Sequence, residues 1–399
     1  MTNIAILGFG VVGGGVADLI TKNYAEVTKQ GGDEINIKYI LDLRDFPDSP
    51  FKDKVVHDYN IILNDATVST VIEVMGGSHP AYEFTVSALK AKKNVITSNK
   101  EVVANFGDEF LALACENGVS YRFEAAVGGG IPVIAPMISC IGQNKITEVR
   151  GILNGTTNYI LTKMFSFGDS FESALADAQA RGYAERNPDA DILGTDAARK
   201  IVILAALATG KLASVDGIHA EGITAIRNED VAAAEKIGCK IKLLGRCIST
   251  GDKPYILVAP FMLSDSSALS GVTGVYNAVE VVAEPLGNVM FYGKGAGAGA
   301  TASAVVGDLM QTMRLGNGGT AKFKKCSEVC DFSTFSARRY LAFAPGAEDA
   351  VKAAFGEIDF ISSTECACVS ATLSEAEAES KIAAVKNAGF ALLSHIRLL

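Results

Sequence analysis

The 399-residue sequence predicts an α/β protein in three parts: a doubly wound parallel sheet, an α+β domain and a small C-terminal βαββαβ module. Three observations lead to this fold class. A strand, a glycine-rich turn and a helix follow one another at the N-terminus. Strand and helix patterns then alternate to about residue 123, and shorter strands and helices recur beyond about residue 332. Because the chain is too long for one typical core, several domains are expected.

The composition excludes some classes of partner. The formal net charge is −9 and the pI is near 5.1, without a lysine-rich tract, so neither nucleic acid nor an anionic membrane is an expected partner. Charges or glycines interrupt the apolar stretches before they could cross a bilayer, and the N-terminus has no signal-peptide pattern, so we expect a cytoplasmic protein. The eight cysteines and four histidines show no zinc-ligand spacing.

The N-terminal glycines predict a dinucleotide site. The apolar strand over residues 3–7 leads into GFGVVG at residues 8–13, and a helical pattern covers residues 16–27. In this G-x-G-x-x-G pattern the first glycine permits the sharp turn, Gly10 lets backbone N–H groups approach a pyrophosphate, and Gly13 lets the helix lie close to the strand. A Rossmann-type sheet is therefore expected. Its predicted cofactor-binding residues are Gly8, Gly10, Val11, Val12 and Gly13.

The second strand, over residues 35–43, should end beside the adenosine ribose of that cofactor. Asp42 could accept hydrogen bonds from the ribose hydroxyls, which favours NAD. Arg44 could pair with a 2′-phosphate, which favours NADP. The sequence alone leaves both cofactors open.

Further alternation extends the sheet. The predicted elements are strands over residues 71–75, 94–97 and 119–123 and helices over residues 81–91 and 108–117. Ligands lie at the carboxyl ends of the strands in such a sheet, so Gly76, Ser98 and Lys100 should line the cofactor. From spacing alone, Lys100 is equally well a solvated lysine that opens a helix.

A glycine-bent segment follows at Glu124, with the sequence EAAVGGGIP. A carboxylate and a backbone bent in this way can surround a monovalent cation with oxygen atoms. The alternative is a crossover between domains with Pro132 at a helix start, which requires no ion. The residue types alone favour the crossover.

The segment over residues 182–200, GYAERNPDADILGTDAARK, places several carboxylates just before an apolar helix. Asp196 and Lys200 are four residues apart, so on a helix their charged groups share one face. A partly buried, partnered amine is suited to acid/base chemistry. An ordinary surface salt bridge is the simpler explanation for an isolated pair of this kind.

The second half of the chain changes pattern. A strand over residues 146–153 and the turn NGTT at residues 154–157 open an α+β domain. A helix over residues 301–315 should return to pack on the nucleotide domain and bring Gly297 to the cofactor. In the terminal module a strand is expected over residues 360–363, and the S-x-x-E pattern at residues 374–377 predicts a helix start, which completes a ferredoxin-like βαββαβ order.

Taken together, these segments resemble homoserine dehydrogenase over nearly the whole chain, with a C-terminal part that looks like an abbreviated ACT domain. The motifs are GFGVVG, EVMGG, TSNK, FEAAVGGGIP, GILNGTTNYIL, the acidic segment and FYGKGAG. The resemblance implies NAD(P)-dependent interconversion of L-homoserine and L-aspartate 4-semialdehyde in threonine and methionine biosynthesis. It also implies a homodimer or larger homo-oligomer and a threonine effector. The expected domains are residues 1–130, completed by about 295–318, then 131–294 and 332–399.

The resemblance also implies roles for individual residues. The implied catalytic residues are Lys200, Lys100 and Asp196. Implied substrate-binding residues are Glu185, Asp191, Asp196, Lys100, Gly155 and Thr156. Cofactor contacts add Arg44, Gly76, Ser98, Lys100, Gly182 and Gly297 to the glycine turn. A sodium ion would be held at Glu124, Val127, Gly129 and Ile131. Where close relatives read ILVRD, this chain reads ILDLRD, so cofactor preference stays open.

Three other interpretations compete with this resemblance. Tyr159 and Lys163 match the Y-x-x-x-K of short-chain dehydrogenases, but the glycine spacing does not follow that class. An enzyme that forms an acyl phosphate would need a nucleophilic cysteine beside a base, and none of the thiols has that setting. A non-catalytic sensor of dinucleotide and amino acid would leave the acidic segment and Lys200 without a role.

Overall fold

The computed structural model describes residues 1–251, 253–326, 328–362 and 365–399. It divides the chain into two compact units. The first consists of Met1–Ile146, Val202–Val215 and Val281–Ser327, and the second of Thr147–Ile201, Asp216–Glu280 and Glu328–Leu399. The three-domain division expected from the sequence stays a prediction. Within the described ranges, the helices are all too short or too polar to cross a membrane.

The first unit is built on a parallel sheet. Its strands and helices up to the first change of unit are β1 (Thr2–Leu7), α1 (Val11–Lys22), α2 (Tyr24–Gly31), β2 (Ile35–Leu41), β3 (Val55–Val56), α3 (Tyr59–Leu63), β4 (Val68–Glu73), α4 (Ala81–Lys90), β5 (Asn94–Thr97), α5 (Lys100–Asn117), β6 (Tyr121–Arg122) and α6 (Ile134–Ser139). The strand order is β3-β2-β1-β4-β5-β6 and each pairing is parallel. This is the doubly wound order, so the predicted Rossmann-type sheet is confirmed.

Two helix boundaries differ from the sequence-based prediction. The pattern over residues 16–27 belongs to two helices, because Asn23 ends α1 and begins α2 with non-helical backbone angles. Helix α5 begins at Lys100 rather than at residue 108, because the Asn99 side chain caps its first turn by accepting from the N–H groups of Glu101 and Val102.

The middle of the chain contributes elements to both units. Its elements are β7 (Lys145–Ile152), α7 (Gly155–Phe167), α8 (Phe171–Ala180), α9 (Asp189–Ile192), α10 (Thr195–Thr209), β8 (Lys211–Leu212), β9 (His219–Ala220), α11 (Asn228–Lys236), β10 (Cys239–Ser249), β11 (Pro254–Ser264), β12 (Tyr276–Glu284), β13 (Gly287–Lys294), α12 (Ala298–Leu315) and β14 (Lys324–Lys325). Helix α12 belongs to the first unit and packs on α1, where Ala302, Val305 and Leu309 share a buried cluster with Val16 and Ile20. The predicted return of this helix to the nucleotide domain is confirmed.

The second unit contains a mixed sheet. From β12 its order continues through β7, β10, β11 and on to the C-terminal strands. Strands β10 and β11 pair over eleven positions in an antiparallel register from Cys239 opposite Ser264 to Ser249 opposite Pro254. Strand β10 was not predicted from the sequence, because the apolar–polar alternation of residues 239–243 breaks at Leu244 and the polar Lys242 and Arg246 are buried.

The C-terminal elements continue that sheet. They are β15 (Ser336–Phe343), α13 (Glu348–Phe355), β16 (Phe360–Ser362), β17 (Cys366–Val369), β18 (Leu373–Ser374), α14 (Glu375–Asn387) and β19 (Leu392–Leu398). Apart from the short β18 they follow the predicted βαββαβ order, and the strands lie as β19-β15-β17-β16. Residue 363 of the predicted strand lies outside the described residues. The Ser374 and Glu377 capping box at α14 is present as predicted.

Candidate active site

The turn after β7 shapes one wall of a polar cluster in the second unit. Asn154 caps α7, because its side-chain oxygen accepts a hydrogen bond of 2.9 Å from the Thr157 N–H. Gly155 begins the helix, where an added Cβ would stand 2.7 Å from the Val275 carbonyl oxygen, so only glycine fits there. The Thr156 hydroxyl donates to the Tyr183 carbonyl oxygen at 2.7 Å and ties α7 to the acidic segment.

Lys200 lies on α10 and its ammonium is held from two sides. Its Nζ donates to the Asp196 carboxylate at 2.7 Å and to the Leu153 carbonyl oxygen at 2.7 Å. Both charged side chains are nearly buried, with 11% and 6% of the side-chain surface exposed. The pairing predicted from the i, i+4 spacing is therefore present, but it is a buried pair and not the surface salt bridge of the simpler explanation.

Asn154 joins the cluster and was not among the residues singled out from the sequence. Its Nδ2 donates to Asp191 at 2.7 Å and to Asp196 at 2.9 Å. The sequence predicted only a turn at NGTT, because these contacts link residues 37 and 42 positions apart. The structure thus brings together Asn154, Asp191, Asp196 and Lys200.

The electrostatics of the cluster favour a cationic ligand. Burial raises the pKa of Asp191 above its ordinary value, and the neighbouring Asp196 raises it further. The hydrogen bond from Asn154 and the charge of Lys200 lower it. Because a positive group beside Asp191 would offset the loss of hydration, the arrangement suits a substrate that carries an ammonium group.

Other sequence-predicted substrate residues lie at the edge of this unit. Glu185 is exposed, and its backbone carbonyl accepts a hydrogen bond of 3.1 Å from the Gln179 side chain. Gly182 is also exposed and has a positive φ of 73°, which ends the turn after α8. The roles assigned to Glu185 and Gly182 stay predictions.

The nucleotide end of the first unit is shaped by backbone. Gly8 has a φ of 94°, and an added Cβ at Gly13 would come within 2.0 Å of the Gly8 carbonyl oxygen. Gly10 caps α1 with no side-chain hydrogen bond, and Val11 is exposed at the helix start. The open N-terminus of α1 is therefore available to a phosphate group, as the glycine pattern predicts.

The end of β2 carries the two residues expected near the ribose. Asp42 accepts a hydrogen bond of 2.8 Å from the Phe9 N–H within the glycine turn. The Arg44 guanidinium donates two hydrogen bonds to the same carboxylate, from Nε at 3.0 Å and from Nη2 at 3.1 Å. The hydrogen bonds from the Arg44 side chain, and then the one from the Phe9 N–H, lower the pKa of Asp42 to about 2, although burial acts to raise it. Asp42 is therefore ionised, and Arg44 offers an exposed cation beside it.

The ends of β4 and β5 are joined by a buried carboxylate that the sequence analysis did not single out. Glu73 accepts from the Met75 N–H at 2.9 Å and from the Thr97 hydroxyl at 2.6 Å. Gly76 follows with a φ of 82°, and Lys100 is the first residue of α5 and is half-buried. The segments that were predicted to line the cofactor therefore lie side by side at the carboxyl edge of the sheet, together with Ser98.

Gly297, the remaining predicted cofactor contact in this unit, precedes α12 and is exposed with a φ of 115°. It begins a helix that packs on α1, whose own start is the glycine turn. The structure gives Gly297 a conformation that favours glycine, while its contact with a cofactor stays a prediction.

The glycine-bent segment holds unpaired carbonyl oxygens. Within the described part of the chain, no N–H group donates to the carbonyls of Val127, Gly129 or Ile131, whereas the Gly128 carbonyl accepts from the Ile131 N–H at 2.9 Å. These three residues are buried, and buried carbonyl oxygens without an N–H donor fit a cation held by oxygen atoms. Gly129 can approach the backbone of Gly295 because it has no Cβ.

The Glu124 carboxylate is bound by backbone N–H groups. It accepts hydrogen bonds of 2.6–2.8 Å from the N–H groups of Val133, Ile134 and Ala135, at the start of α6. A carboxylate at a helix N-terminus is stabilised by these N–H groups and by the helix dipole. Glu124 therefore closes the glycine-bent segment onto α6, and a ligand role for its side chain stays a prediction.

A doubly wound sheet with an open glycine turn, in a chain that also places a buried lysine among carboxylates, defines a dinucleotide-dependent dehydrogenase. Comparisons with known proteins narrow that class. The family model for the NAD-binding domain of homoserine dehydrogenase matches residues 8–124, and the homoserine dehydrogenase model matches residues 132–310. The chain belongs to the homoserine dehydrogenase family, a family of oxidoreductases.

Individual relatives agree with this assignment. The homoserine dehydrogenase of Bacillus subtilis is 40% identical over 321 residues, which cover 78% of this chain and 74% of that protein. A crystal structure of the enzyme from Thiobacillus denitrificans matches with a TM-score of 0.93 at 31% identity and covers 100% of this chain and 98% of that chain. A hyperthermophilic archaeal homoserine dehydrogenase mutant in complex with NADPH matches with a TM-score of 0.68 at 29% identity, covering 79% and 99% of the two chains.

Proposed function

We propose that this chain interconverts L-homoserine and L-aspartate 4-semialdehyde, with NAD(P) as the hydride carrier, in the synthesis of threonine and methionine. Its family membership supports the reaction. The observation that carries the proposal is the buried Lys200 ammonium, held by Asp196 and by the Leu153 carbonyl beside a second carboxylate. A lysine held in this way is suited to moving a proton, and it gives the acidic segment a role that the sensor interpretation lacks.

Oxidation of the alcohol removes a hydride from its carbon and a proton from its hydroxyl group. NAD(P), when bound at the glycine turn, would supply the hydride chemistry. In its neutral amine form Lys200 would receive the hydroxyl proton as the carbonyl forms and become the ammonium, and in the reverse direction the ammonium would return that proton to the carbonyl oxygen. Asp196 and the Leu153 carbonyl fix the direction of Nζ, so the proton moves along a defined path. We assign Lys100 to the same reaction as a second, supporting amine.

The carboxylates account for recognition of the amino acid. Asp191 and Asp196 would bind the ammonium group of homoserine, with Glu185 as a further carboxylate of the same segment. Gly155 and Thr156 open α7, where backbone N–H groups suit the carboxylate of the substrate. A substrate with both charges is therefore favoured over a simple alcohol.

Cofactor binding would use the glycine turn and the carboxyl ends of the strands. Gly8, Gly10 and Gly13 let the pyrophosphate approach α1, and we assign Asp42 to the ribose. Arg44, which is paired with Asp42 but exposed, would turn to a 2′-phosphate when NADP binds. The remaining assigned contacts are Val11, Val12, Gly76, Ser98, Lys100, Gly182 and Gly297.

We propose that a monovalent cation, sodium, would be held by the carbonyl oxygens of Val127, Gly129 and Ile131. The support is that no N–H group of the described residues donates to these buried oxygens. The ion would stiffen the segment between Glu124 and α6 and supply no redox chemistry. Replacing sodium by tetramethylammonium in the buffer should lower the thermal unfolding midpoint, and an unchanged midpoint would argue against the site.

A direct assay tests the proposed reaction. Purified protein is mixed with L-homoserine and either NAD or NADP, and nicotinamide reduction is followed by absorbance. The expected result is reduction that requires homoserine and that reverses with aspartate 4-semialdehyde. Binding of the dinucleotide without turnover in either direction would favour the sensor instead. L-Serine serves as the control substrate, because it is one methylene shorter and misplaces the hydroxyl.

The C-terminal βαββαβ part supports a proposal about regulation. Its strand order is that of a ferredoxin-like unit, to which ACT-like modules belong. We propose that it binds threonine and helps to assemble a homodimer or larger homo-oligomer. Titration with threonine should lower the initial rate and give a calorimetric signal, and the absence of both would remove the effector. The cytoplasmic location expected from the sequence stays a prediction.

A further inference from the structure

The Asn154 side chain is fixed by three hydrogen bonds in the second unit. Its Oδ1 accepts from the Thr157 N–H at 2.9 Å, which identifies the oxygen and sets the direction of the opposite NH2 group. That group donates to Asp191 and Asp196 at 2.7 and 2.9 Å. The residue is 5% exposed, so water does not compete for these bonds. One acceptor and both donors of the amide are therefore used.

The contact to Asp196 connects this amide to Lys200. Asp196 accepts from Asn154 and from Lys200 on the same oxygen, Oδ2. Lys200 also donates to the carbonyl of Leu153, the residue directly before Asn154. The segment 153–154 thus holds the lysine by its backbone and both carboxylates by its side chain, and a shift of this segment would move all three charged groups together.

We propose that Asn154 is a positioning residue of the homoserine site, whose amide nitrogen holds Asp191 and Asp196 in the orientation that binds the substrate ammonium group. The inference rests on the proposed function. Asn154 itself moves no proton. Its action is indirect, because it separates and orients two carboxylates that would otherwise repel each other, and through Asp196 it steadies Lys200.

The isosteric change Asn154→Asp tests this directly. Aspartate is as good a helix cap as asparagine, so α7 should still form, but the two donated hydrogen bonds are lost and a third carboxylate is added. Asn154→Ser is the second variant, because it keeps a capping oxygen without adding charge. Ser170→Ala is the matched control. Ser170 caps the neighbouring α8 by accepting from the Ser173 N–H, and neither Asp191 nor Asp196 is among its partners.

The expected result separates substrate binding from folding. The KM for homoserine should rise about ten- to hundredfold in Asn154→Asp, and less in Asn154→Ser, as the two charge-assisted hydrogen bonds are lost. The acidic limb of the kcat/KM pH profile should move to higher pH in Asn154→Asp, because Asp191 gains a like-charged neighbour. NADPH binding, measured by nicotinamide fluorescence, should stay unchanged in both. Ser170→Ala should lower only the thermal midpoint.

The outcomes distinguish this inference from the proposed function. If wild-type protein oxidises homoserine but Asn154→Asp keeps its homoserine KM and its pH profile, Asn154 is only a helix cap and the inference is overturned. If Asn154→Ser restores both values, the loss in Asn154→Asp comes from added charge alone, and the positioning role is again rejected. Wild-type protein without homoserine oxidation would instead overturn the proposed function.

Discussion

The nucleotide end is formed mainly by backbone, whereas the lysine cluster is formed mainly by side chains. The turn around Gly8 and Gly13 is shaped by backbone, with close approaches that only glycine permits. The cluster around Lys200 is shaped by side chains from α7, α9 and α10 that meet in a buried, polar centre. A backbone site depends on conformation and tolerates few larger residues, whereas a side-chain site depends on charge and on the direction of each donor.

The largest effect should come from the side-chain site. Lys200→Ala removes the proposed proton carrier, so kcat should fall by about a hundred- to ten-thousandfold. NADPH binding should remain, because the glycine turn contains no part of Lys200. The measurements are steady-state rates in both directions and a fluorescence titration with NADPH. Partial recovery of kcat on adding a small primary amine would support proton transfer.

Lys163→Ala is the matched control for that prediction. Lys163 is another lysine of the second unit, and it pairs with Asp169 and Asp177 at 3.2 and 3.7 Å. Tyr159 also donates to Asp177, so the Y-x-x-x-K pair is engaged in an ordinary structural contact. Near-normal kcat is expected for Lys163→Ala. The reverse result, with Lys163 essential and Lys200 dispensable, would restore the short-chain interpretation.

The same difference explains what the sequence could predict. The glycine turn and the parallel sheet were predictable because their residues follow one another along the chain, and the Asp196–Lys200 pair because it lies within one helical turn. Asn154 was missed because its partners are distant in sequence. Strand β10 was missed because its apolar–polar alternation breaks at Leu244, after only five residues.

A single added methyl group at Gly13 tests whether the glycine turn depends on backbone conformation. In Gly13→Ala the added Cβ would stand 2.0 Å from the Gly8 carbonyl oxygen, so the turn must shift. The apparent Kd for NADPH should rise at least about tenfold, and the unfolding free energy should fall by about 1–3 kcal/mol. Gly14→Ala is the control, because its Cβ meets nothing within 4 Å and alanine favours the helix. Equal NADPH affinity in the two variants would contradict the backbone argument.

The first unit also contains a side-chain feature, the two buried carboxyl groups of Asp308 and Glu124. Asp308 is fully buried and accepts from the Glu124 N–H at 2.8 Å. Burial, and then the charge of Glu124, raises its pKa to about 8. The folded state therefore binds more protons than the unfolded state between the ordinary carboxyl pKa and about 8, so stability falls as pH rises through that interval.

Asp308→Asn should remove this pH dependence, because the amide imitates the protonated acid and can still accept from Glu124 N–H. At about pH 8 the variant should be more stable than wild type by on the order of 1–3 kcal/mol, with a smaller difference near pH 5. Denaturant unfolding at both pH values measures it. Asp18→Asn, at an exposed pair with Lys22, is the control and should change little. An equal pH dependence in wild type and Asp308→Asn would show that this carboxyl stays ionised.

The smallest effect is expected at the ribose end, where backbone and side chain meet. Asp42 is held by the Phe9 N–H, while Arg44 pairs with Asp42, lies over the Phe46 ring and is 64% exposed. Arg44→Ala should raise the KM for NADP by about tenfold and leave that for NAD nearly unchanged, because a cation beside a 2′-phosphate is lost while the ribose partner remains. Lys22→Ala on α1 removes an exposed cation as the control. If both cofactors weaken equally in Arg44→Ala, the arginine supports the fold of the turn and does not select the phosphate.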